Sequence, residues 1–130
     1  MATVRLRLFR TLVVVLLAGI AASKGGATGI AKDVTVVRMT DAFRFEPDEV
    51  TIHAGDVLEW RNVSPFDHVV TDDRTVGDAA LPAGAQAFSS GAIKAGTSYR
   101  RVFTVPGEYR YFCVPHEGIG MVGRITVLPR

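Results

Sequence analysis

Nine consecutive residues carry the side chains best suited to metal or redox chemistry. The stretch 113–121 reads Cys-Val-Pro-His-Glu-Gly-Ile-Gly-Met, which places Cys113, His116 and Met121 in a C-x2-H-x4-M pattern. A thiolate, an imidazole and a thioether are soft or borderline donors, and together they favour copper over magnesium, calcium or manganese. A trigonal blue-copper site takes two imidazoles, one thiolate and a long axial thioether. The stretch supplies all of these except one imidazole.

The second imidazole must come from His53 or His68, the two other histidines in the chain. His53 lies at the outward phase of an alternating strand, just before a turn, which is typical of a solvated side chain. His68 lies where a loop passes into a strand and is followed by the apolar residues Val69 and Val70. A ligand in that position can face a loop that joins two neighbouring strands. We therefore favour His68.

The single cysteine of the chain has no internal disulfide partner. Such a thiol is reactive, paired with another molecule, or a metal ligand, and the structural alternative is a buried, inert cysteine. Pro115 stiffens the arm between Cys113 and His116. Gly118 and Gly120 allow the loop to curl back, so that the thioether of the following methionine approaches the same point. These neighbours favour the ligand interpretation.

The N-terminal segment has the composition of a secretory signal peptide. Three arginines lie within the first ten residues, an apolar run covers 11–22, and small residues dominate 23–31. Thirteen residues separate Arg10 from Lys24, short of the ~20 that a membrane-spanning helix needs. We therefore expect a cleaved leader rather than a permanent anchor.

The expected domain division is a signal peptide with its small-residue flank at 1–31 and one copper-binding domain at 32–130. Cleavage after residue 23 or after residue 31 fits equally well. The leader also carries the positive charge of the chain. From Asp33 onward, ten lysines and arginines stand against thirteen aspartates and glutamates, a net charge of −3, whereas the full chain carries +2. The mature part therefore does not have the basic character of a nucleic-acid-binding protein.

The remainder of the chain predicts an all-β sandwich of seven or eight strands. Short β-branched or alternating runs recur with turns at a spacing of roughly 8–12 residues. The predicted strands are 34–39, 43–46, 50–53, 57–63, 68–71, 98–105, 109–113 and 122–128, with order resuming at residue 88 after a long gap. Residues 72–87 have no clean period and indicate a long surface connection with one helical turn at most. The predicted aromatic core consists of Phe45, Trp60, Phe88, Phe103, Tyr109 and Phe112.

The stretch 113–123 resembles the ligand loop of the cupredoxins, the type 1 blue copper proteins, with the spacing of plastocyanin and pseudoazurin. The likeness continues through 45–47, 50–62, 68–70 and 106–113 in the order of that family, and covers essentially all of 34–128. It implies a Greek-key sandwich with one Cu(I)/Cu(II) ion. The ligands that it implies are His68, Cys113 and His116 in the equatorial plane and Met121 on the axis.

Two positions depart from the plastocyanin pattern. Many plastocyanin-like proteins have Asn directly after the first ligand histidine, where it helps to tie the two ligand loops together, and this chain has Val69. Plastocyanins typically have Tyr before the cysteine, at a remote patch where electrons enter, and this chain has Phe112.

The predicted function is that of a small exported blue copper electron carrier and not of an enzyme. Monomeric protein would exchange electrons through His116 with redox proteins that dock transiently beside it, without nucleic acid and without membrane contact beyond an uncleaved leader. An apolar patch is expected around that histidine, and its candidate members are Val114, Pro115, Gly118, Ile119, Leu81 and Pro82. Asp72 and Asp73 form either an acidic docking patch or, more simply, part of a solvated loop.

Two other functions compete with this prediction. A periplasmic copper-binding or copper-delivery protein without an electron-transfer role tends to have exposed, methionine-rich sites, whereas besides Met121 this chain has only Met1 and Met39. An oxidase or nitrite reductase needs further copper centres, for which three histidines are too few.

Overall fold

The computed structural model describes residues 32–130, which form nine strands and one short 3₁₀ helix. The signal peptide expected at 1–31 lies outside the described residues. The strands are β1 Val34–Met39, β2 Phe45–Glu46, β3 Glu49–His53, β4 Val57–Asn62, β5 His68–Thr71, β6 Ser89–Ile93, β7 Ser98–Val102, β8 Gly107–Cys113 and β9 Val122–Leu128, and the 3₁₀ helix is Val114–Ile119. Within 32–130, no helix is long and apolar enough to cross a membrane.

The strands form two sheets. One sheet has the order β2-β1-β4-β7 and the other has the order β3-β9-β8-β5-β6. The pairs β1–β4 and β3–β9 are parallel, and the remaining neighbours are antiparallel. The all-β Greek-key sandwich predicted from the sequence is confirmed, and the strand count rises to nine because residues 89–93, where order was expected to resume, form a separate strand, β6.

The core between the sheets is aromatic and contains five of the six predicted members, whereas Phe112 is buried outside this cluster, close to Gly77. The relative exposures are 0% for Trp60 and Phe112 and at most 6% for Phe45, Phe88, Phe103 and Tyr109. Tyr111, which was not among the predicted core residues, is also completely buried. Its ring lies 5.3 Å from that of Trp60 and 4.7 Å from that of Phe45. Aromatic packing of this kind supplies a rigid platform beneath the end of β8.

The register of the second sheet brings β5 and the end of β8 together. Val70 pairs with Cys113 and Thr71 pairs with Phe112. Since His68 precedes Val70 by two residues, it lies beside the segment that follows Cys113. The chain then runs through the 3₁₀ helix into β9, which returns antiparallel to β8. One end of this sheet therefore carries all the residues of the predicted site.

The connection 72–88 is irregular, as predicted, but its first residue, Asp72, turns inward. The structure shows no helical turn in it, and it is held by a bridge in which Ala80 and Arg110 exchange two main-chain hydrogen bonds of 2.8 and 3.1 Å. Asp72 is completely buried, so neither the acidic patch nor the solvated loop describes it. Its Oδ1 accepts the N–H of Phe88 at 2.7 Å, which fixes the end of the connection to its start.

Two members of the predicted apolar patch lie elsewhere. Pro82 packs against Gly107, where an added Cβ would come within 2.7 Å of the proline Cβ. Gly107 begins β8 and Cys113 ends it, so Pro82 lies at the opposite end of the sandwich from the site. Leu81 packs against the hydrophobic core. The expectation that Leu81 and Pro82 flank His116 is wrong, because a connection without periodicity gives no register with which to place them.

Candidate metal centre

The loop between β8 and β9 is closed by its own main chain. Gly120 adopts a left-handed conformation with φ 86°, and its N–H donates to the Glu117 carbonyl at 2.8 Å. The N–H of Met121 donates to the carbonyl of His116 at 3.1 Å, and the N–H of Cys113 donates to the carbonyl of Met121 at 2.9 Å. The two sulfur-bearing residues are thus tied across the base of the loop, with His116 at its top.

Three of the predicted ligands converge. Nδ1 of His68 lies 3.6 Å from Sγ of Cys113, Nδ1 of His116 lies 3.3 Å from the same Sγ, and the three atoms all lie within 4.8 Å of one another. In tetrahedral zinc sites a metal lies ~2.0–2.1 Å from imidazole nitrogen and ~2.3 Å from thiolate sulfur. Donors at the observed spacings can therefore share one ion, and the donor set fits copper.

Met121 lies in the core below the loop, and His53 lies away from the three converging groups. Met121 is completely buried and belongs to the same core cluster as Cys113. Its thioether adds a soft donor to the loop that carries the thiol. His53 lies on the exposed side of β3, with its Nδ1 3.9 Å from Oδ2 of Asp56. It takes no part in the cluster.

Burial differs among the converging groups. His68, Cys113 and Met121 are completely buried, whereas His116 is half-buried. Burial lowers the pKa of the His68 imidazole, and the charge of nearby His116 lowers it further. Burial raises the pKa of the Cys113 thiol. Hydrogen bonds from the main-chain N–H groups of Val69 and His116 lower this pKa and offset part of the rise. Since a metal ion displaces the thiol proton, cysteine ionisation and metal binding are coupled in this site.

The main chain of Val69 ties the two ligand segments together. Its N–H donates to Sγ of Cys113 at 3.4 Å. Valine therefore keeps a main-chain link between β5 and the metal loop at a position where a plastocyanin-like chain often has Asn. Phe112, the other departure, is completely buried. It lies close to Gly77, where an added Cβ would come 2.7 Å from its Cε2.

A second group of residues around the site could not be predicted from the sequence. The β1–β2 connection places the ring of Phe43 with its centroid 4.4 Å from that of His116. Nη1 of Arg44 donates to the carbonyls of Ile119 and Gly120 at 3.2 and 2.9 Å. These contacts span more than 70 residues of sequence, so no local pattern could have indicated them.

Ser64 is the other residue that the sequence did not single out. Its Oγ lies 2.8 Å from Nε2 of His68, on the ring nitrogen that does not face Cys113. The sequence indicates only a loop at 64–67, and a serine in a loop gives no sign of which buried group it contacts.

The comparison with known families agrees with this geometry. Residues 31–128 match the family described as copper binding proteins, plastocyanin/azurin family. The chain belongs to this family. A plastocyanin of Scenedesmus fuscus is 40% identical over 97 residues, which cover 73% of this chain and 99% of the relative. A chloroplastic plastocyanin of Tetradesmus obliquus is 39% identical over 97 residues, which cover 75% of this chain and 67% of the relative.

Solved cupredoxin structures share the fold. The reduced Cu(I) form at pH 4 of an amicyanin variant aligns with a TM-score of 0.60 and 28% identity, covering 75% of this chain and 85% of that one. The oxidised plastocyanin of the fern Dryopteris crassirhizoma aligns with a TM-score of 0.58 at 24% identity, covering 72% and 99%. At that identity the fern protein supports the fold alone.

This plastocyanin-like cupredoxin has a site for one type 1 copper ion. The family match, the plastocyanin relatives and the convergence of two imidazoles with a thiolate agree on that cofactor. A single copper in such a site supplies a one-electron Cu(I)/Cu(II) couple. The chain is a small blue copper electron carrier.

Proposed function

We propose that His68, Cys113 and His116 are the equatorial ligands, that Met121 is the axial ligand, and that electrons pass through the ring of His116. The observation that carries this proposal is the meeting of the two Nδ1 atoms and the thiol sulfur within 4.8 Å. Among the four groups, only His116 is not completely buried. A ligand ring that reaches the surface gives an outside protein the shortest covalent route to the metal.

The chain holds these groups rigidly. His68 and Cys113 lie on neighbouring strands β5 and β8, and the loop that carries the other two groups is closed by hydrogen bonds of 2.8–3.1 Å. A buried scaffold of this kind limits the rearrangement of the ligands when the charge of the metal changes. The dry surroundings of Sγ and the weak axial thioether then tune the reduction potential.

Exposed apolar side chains surround the proposed electron port. Val114, Ile119 and Phe66 are 45%, 58% and 44% exposed, and Pro115 is exposed as well. Together these four residues form what we call the apolar rim. A rim of this size suits brief docking of a redox partner, because small interfaces hold complexes that must separate quickly. Leu81, Pro82 and Asp72 take no part in it.

We further propose that the protein works outside the cytoplasm as a carrier without catalytic turnover. The support for export is the leader-like composition of 1–31, and the first two relatives are plastocyanins, one of them chloroplastic. The mass of the protein recovered from an exporting host would reveal whether cleavage occurs after residue 23, after residue 31, or not at all.

The decisive experiment is the visible and EPR spectrum of the purified protein with Cu(II), before and after ascorbate. An intense visible band, a narrow copper hyperfine splitting and reversible bleaching would support a type 1 electron carrier. A pale solution with ordinary hyperfine splitting would mean that the four groups do not bind copper together. Copper carriage without electron transfer would then be the better account.

A further inference from the structure

A buried hydroxyl group contacts the ring nitrogen of His68 that faces away from the metal position. Ser64 Oγ lies 2.8 Å from Nε2 of His68, whereas Nδ1 of the same ring lies 3.6 Å from Sγ of Cys113. Ser64 is 4% exposed and His68 is completely buried, so water cannot substitute for this hydrogen bond. Either group could donate the proton between them, and the surrounding residues determine which one does.

The side chain of Asn62 can be oriented in only one way. Its Nδ2 lies 2.6 Å from the carbonyl of Phe66 and 2.9 Å from the carbonyl of Ile93, two groups that can only accept. Its Oδ1 accepts the main-chain N–H of Ser64 at 2.9 Å. A flipped amide would turn an oxygen toward two carbonyls and an NH₂ group toward an N–H. Oδ1 of Asn62 is therefore the acceptor that faces the serine hydroxyl.

The hydroxyl of Ser64 has one proton to donate. Oδ1 of Asn62 at 2.8 Å and the carbonyl oxygen of Phe66 at 3.2 Å can only accept, so the proton points to this side of the hydroxyl, and the shorter distance places it on Asn62. If it pointed at His68 instead, two buried oxygen acceptors would face each other at hydrogen-bond distance without a proton between them. The two lone pairs of the hydroxyl then accept the N–H of Phe66 at 3.2 Å and a proton on Nε2 of His68. Every hydrogen-bonding position of the hydroxyl is used.

We propose that Ser64 is a positioning residue of the copper centre, which holds His68 in the Nε2–H tautomer and leaves the Nδ1 lone pair facing Cys113. This inference rests on the proposed ligand role of His68. Asn62 ends β4 in one sheet and Ile93 ends β6 in the other, so the network ties the ring to both sheets. Donation from the outer N–H of a ligand imidazole also makes its metal-facing nitrogen more basic, which stabilises Cu(II) relative to Cu(I).

The first test compares two serine variants. Ser64→Ala removes the acceptor of the Nε2 proton, and we expect Cu(II) binding to weaken by roughly 10–100-fold in a chelator competition. The reduction potential, measured by voltammetry, should rise because the imidazole becomes a weaker donor. Ser90→Ala is the matched control. Ser90 Oγ accepts the N–H of Val70 at 2.9 Å, so it supports the same strand without contacting a ligand ring.

The outcomes separate positioning from general support of β5. An unchanged affinity and potential in Ser64→Ala would overturn the proposal. A rise in potential of the same size in Ser90→Ala would also overturn it, because that variant disturbs only the strand. A change confined to Ser64→Ala supports the proposed role.

The second test needs neither copper nor a variant. A long-range ¹H–¹⁵N spectrum of the copper-free, ¹⁵N-labelled protein, recorded where His68 is neutral, distinguishes the two imidazole tautomers. We expect the Nε2–H form, and observation of the Nδ1–H form would refute the proposal. The result does not depend on electron transfer. A missing type 1 spectrum would therefore count against the proposed function, and a wrong tautomer would count against the role of Ser64.

Discussion

The sulfur of Cys113 lies between the two imidazole rings of the candidate site. It is completely buried, lies 3.3 and 3.6 Å from two imidazole nitrogens, and accepts the N–H of Val69 at 3.4 Å. Burial raises the pKa of this thiol. Cysteine binds metals as the thiolate, so this buried thiol ionises readily only when a bound cation compensates the negative charge of its sulfur. The thiol and the metal are therefore best treated as one unit.

The first prediction concerns this unit. Cys113→Ala should abolish the intense visible absorption, because the colour of a type 1 site arises from the bond between copper and the thiolate. Copper that still binds to His68 and His116 should give a pale solution with ordinary EPR hyperfine splitting. The comparison is made at equal copper loading. A blue Cys113→Ala protein would show that another donor was the ligand.

The second prediction concerns the axial position. Met121→Gln replaces a soft thioether with a harder amide oxygen, which binds Cu(II) better than Cu(I). The protein should stay coloured, while the reduction potential falls. Met39→Gln would be a poor comparison because Met39 is also completely buried in the core, so the control is the wild-type protein under the same buffer and salt. A potential that stays the same or rises would show that this side chain does not reach the metal.

Spacing indicated the candidate ligands because the side chains suited to metal chemistry are concentrated in one loop. The order of Cys113, His116 and Met121 placed three soft donors within nine residues, and the start of a neighbouring strand placed His68 opposite them. Ser64 was not predictable in the same way. Its role depends on the orientation of an amide two residues earlier and on a carbonyl at residue 93, which the fold alone brings together.

At the scale of elements, the pairing of β8 with β9 leaves no room above Tyr111. Gly123 pairs with Tyr111, and an added Cβ there would come 2.7 Å from Cε1 of the tyrosine ring and closer still to its Cζ and Oη. The ring is completely buried between Phe45 and Trp60, so it cannot move aside. The strand that returns from the metal loop can therefore lie flat only over glycine.

This arrangement gives the third prediction. Gly123→Ala should lower the free energy of unfolding of the copper-free protein by about 1–3 kcal/mol, the usual cost of overpacking a core. Gly118→Ala is the control, since an added Cβ at that exposed position meets no atom of the described part of the chain within 4 Å. Urea unfolding followed by tryptophan fluorescence measures both. Equal stability of the two variants would contradict the packing argument.

The connection 72–88 gives the fourth prediction, which concerns pH. Asp72 is completely buried, its Oδ2 has no hydrogen-bond partner among residues 32–130, and burial raises the pKa of the carboxyl. The unfolded chain then loses this proton at lower pH than the folded chain does. Stability therefore falls as pH rises between the two pKa values. Asp72→Asn should stabilise the protein near neutral pH by about 1 kcal/mol or more and flatten this slope.

Asp73 supplies a control of opposite sign. Hydrogen bonds from the N–H and hydroxyl of Thr75 lower the pKa of its carboxyl. The ionised Asp73 carboxylate therefore stabilises the fold at pH values above its pKa in the unfolded chain. This stabilisation is lost as the pH falls through its lower pKa in the folded protein. Asp73→Asn should weaken the fold at neutral pH. The free energy of unfolding of both variants is measured in urea at several pH values. An equal dependence on pH in both variants would contradict the destabilising effect assigned to the buried Asp72 carboxylate.

The elements themselves divide into predictable and unpredictable parts. Strands were placed to within a few residues because a half-buried strand shows its alternation in the sequence, as in β1 and β9. The connection 72–88 has no alternation, so nothing in it revealed that Asp72 turns inward or that Pro82 reaches the start of β8. Those placements follow from the bridge between Ala80 and Arg110, a contact that forms only in the folded sandwich.

At the scale of the whole molecule, the two ends of the sandwich differ in chemistry. One end presents His116 within the apolar rim, while the other carries the turn at Gly55, whose N–H donates to the carbonyl of Phe103 at 2.7 Å. Val102, 40% exposed, lies on β7 near that second end, where it pairs with Val57 at the start of β4. Exposed apolar side chains occur at both ends, but within residues 32–130 only the first end presents a candidate ligand ring beside them. Electron exchange should therefore depend on that end alone.

The fifth prediction tests this asymmetry without a known partner. Two copies of the protein, one reduced and one oxidised, exchange electrons most easily when their rims meet. Ile119→Lys should slow this self-exchange, measured by NMR line broadening, because two like charges then face each other at the contact. The effect should weaken as salt screens the charges. The visible spectrum should not change, because the side chain is 58% exposed and does not belong to the core cluster that contains Cys113 and Met121.

Val102→Lys is the matched control for that experiment. It adds the same charge to the molecule at an exposed valine of the opposite end, so any general effect of net charge appears in both variants. Slower exchange in Ile119→Lys alone would locate electron transfer at the apolar rim. Equal rates in the two variants would show that electrons leave by another surface. The proposal that they pass through the half-buried ring of His116 would then be wrong.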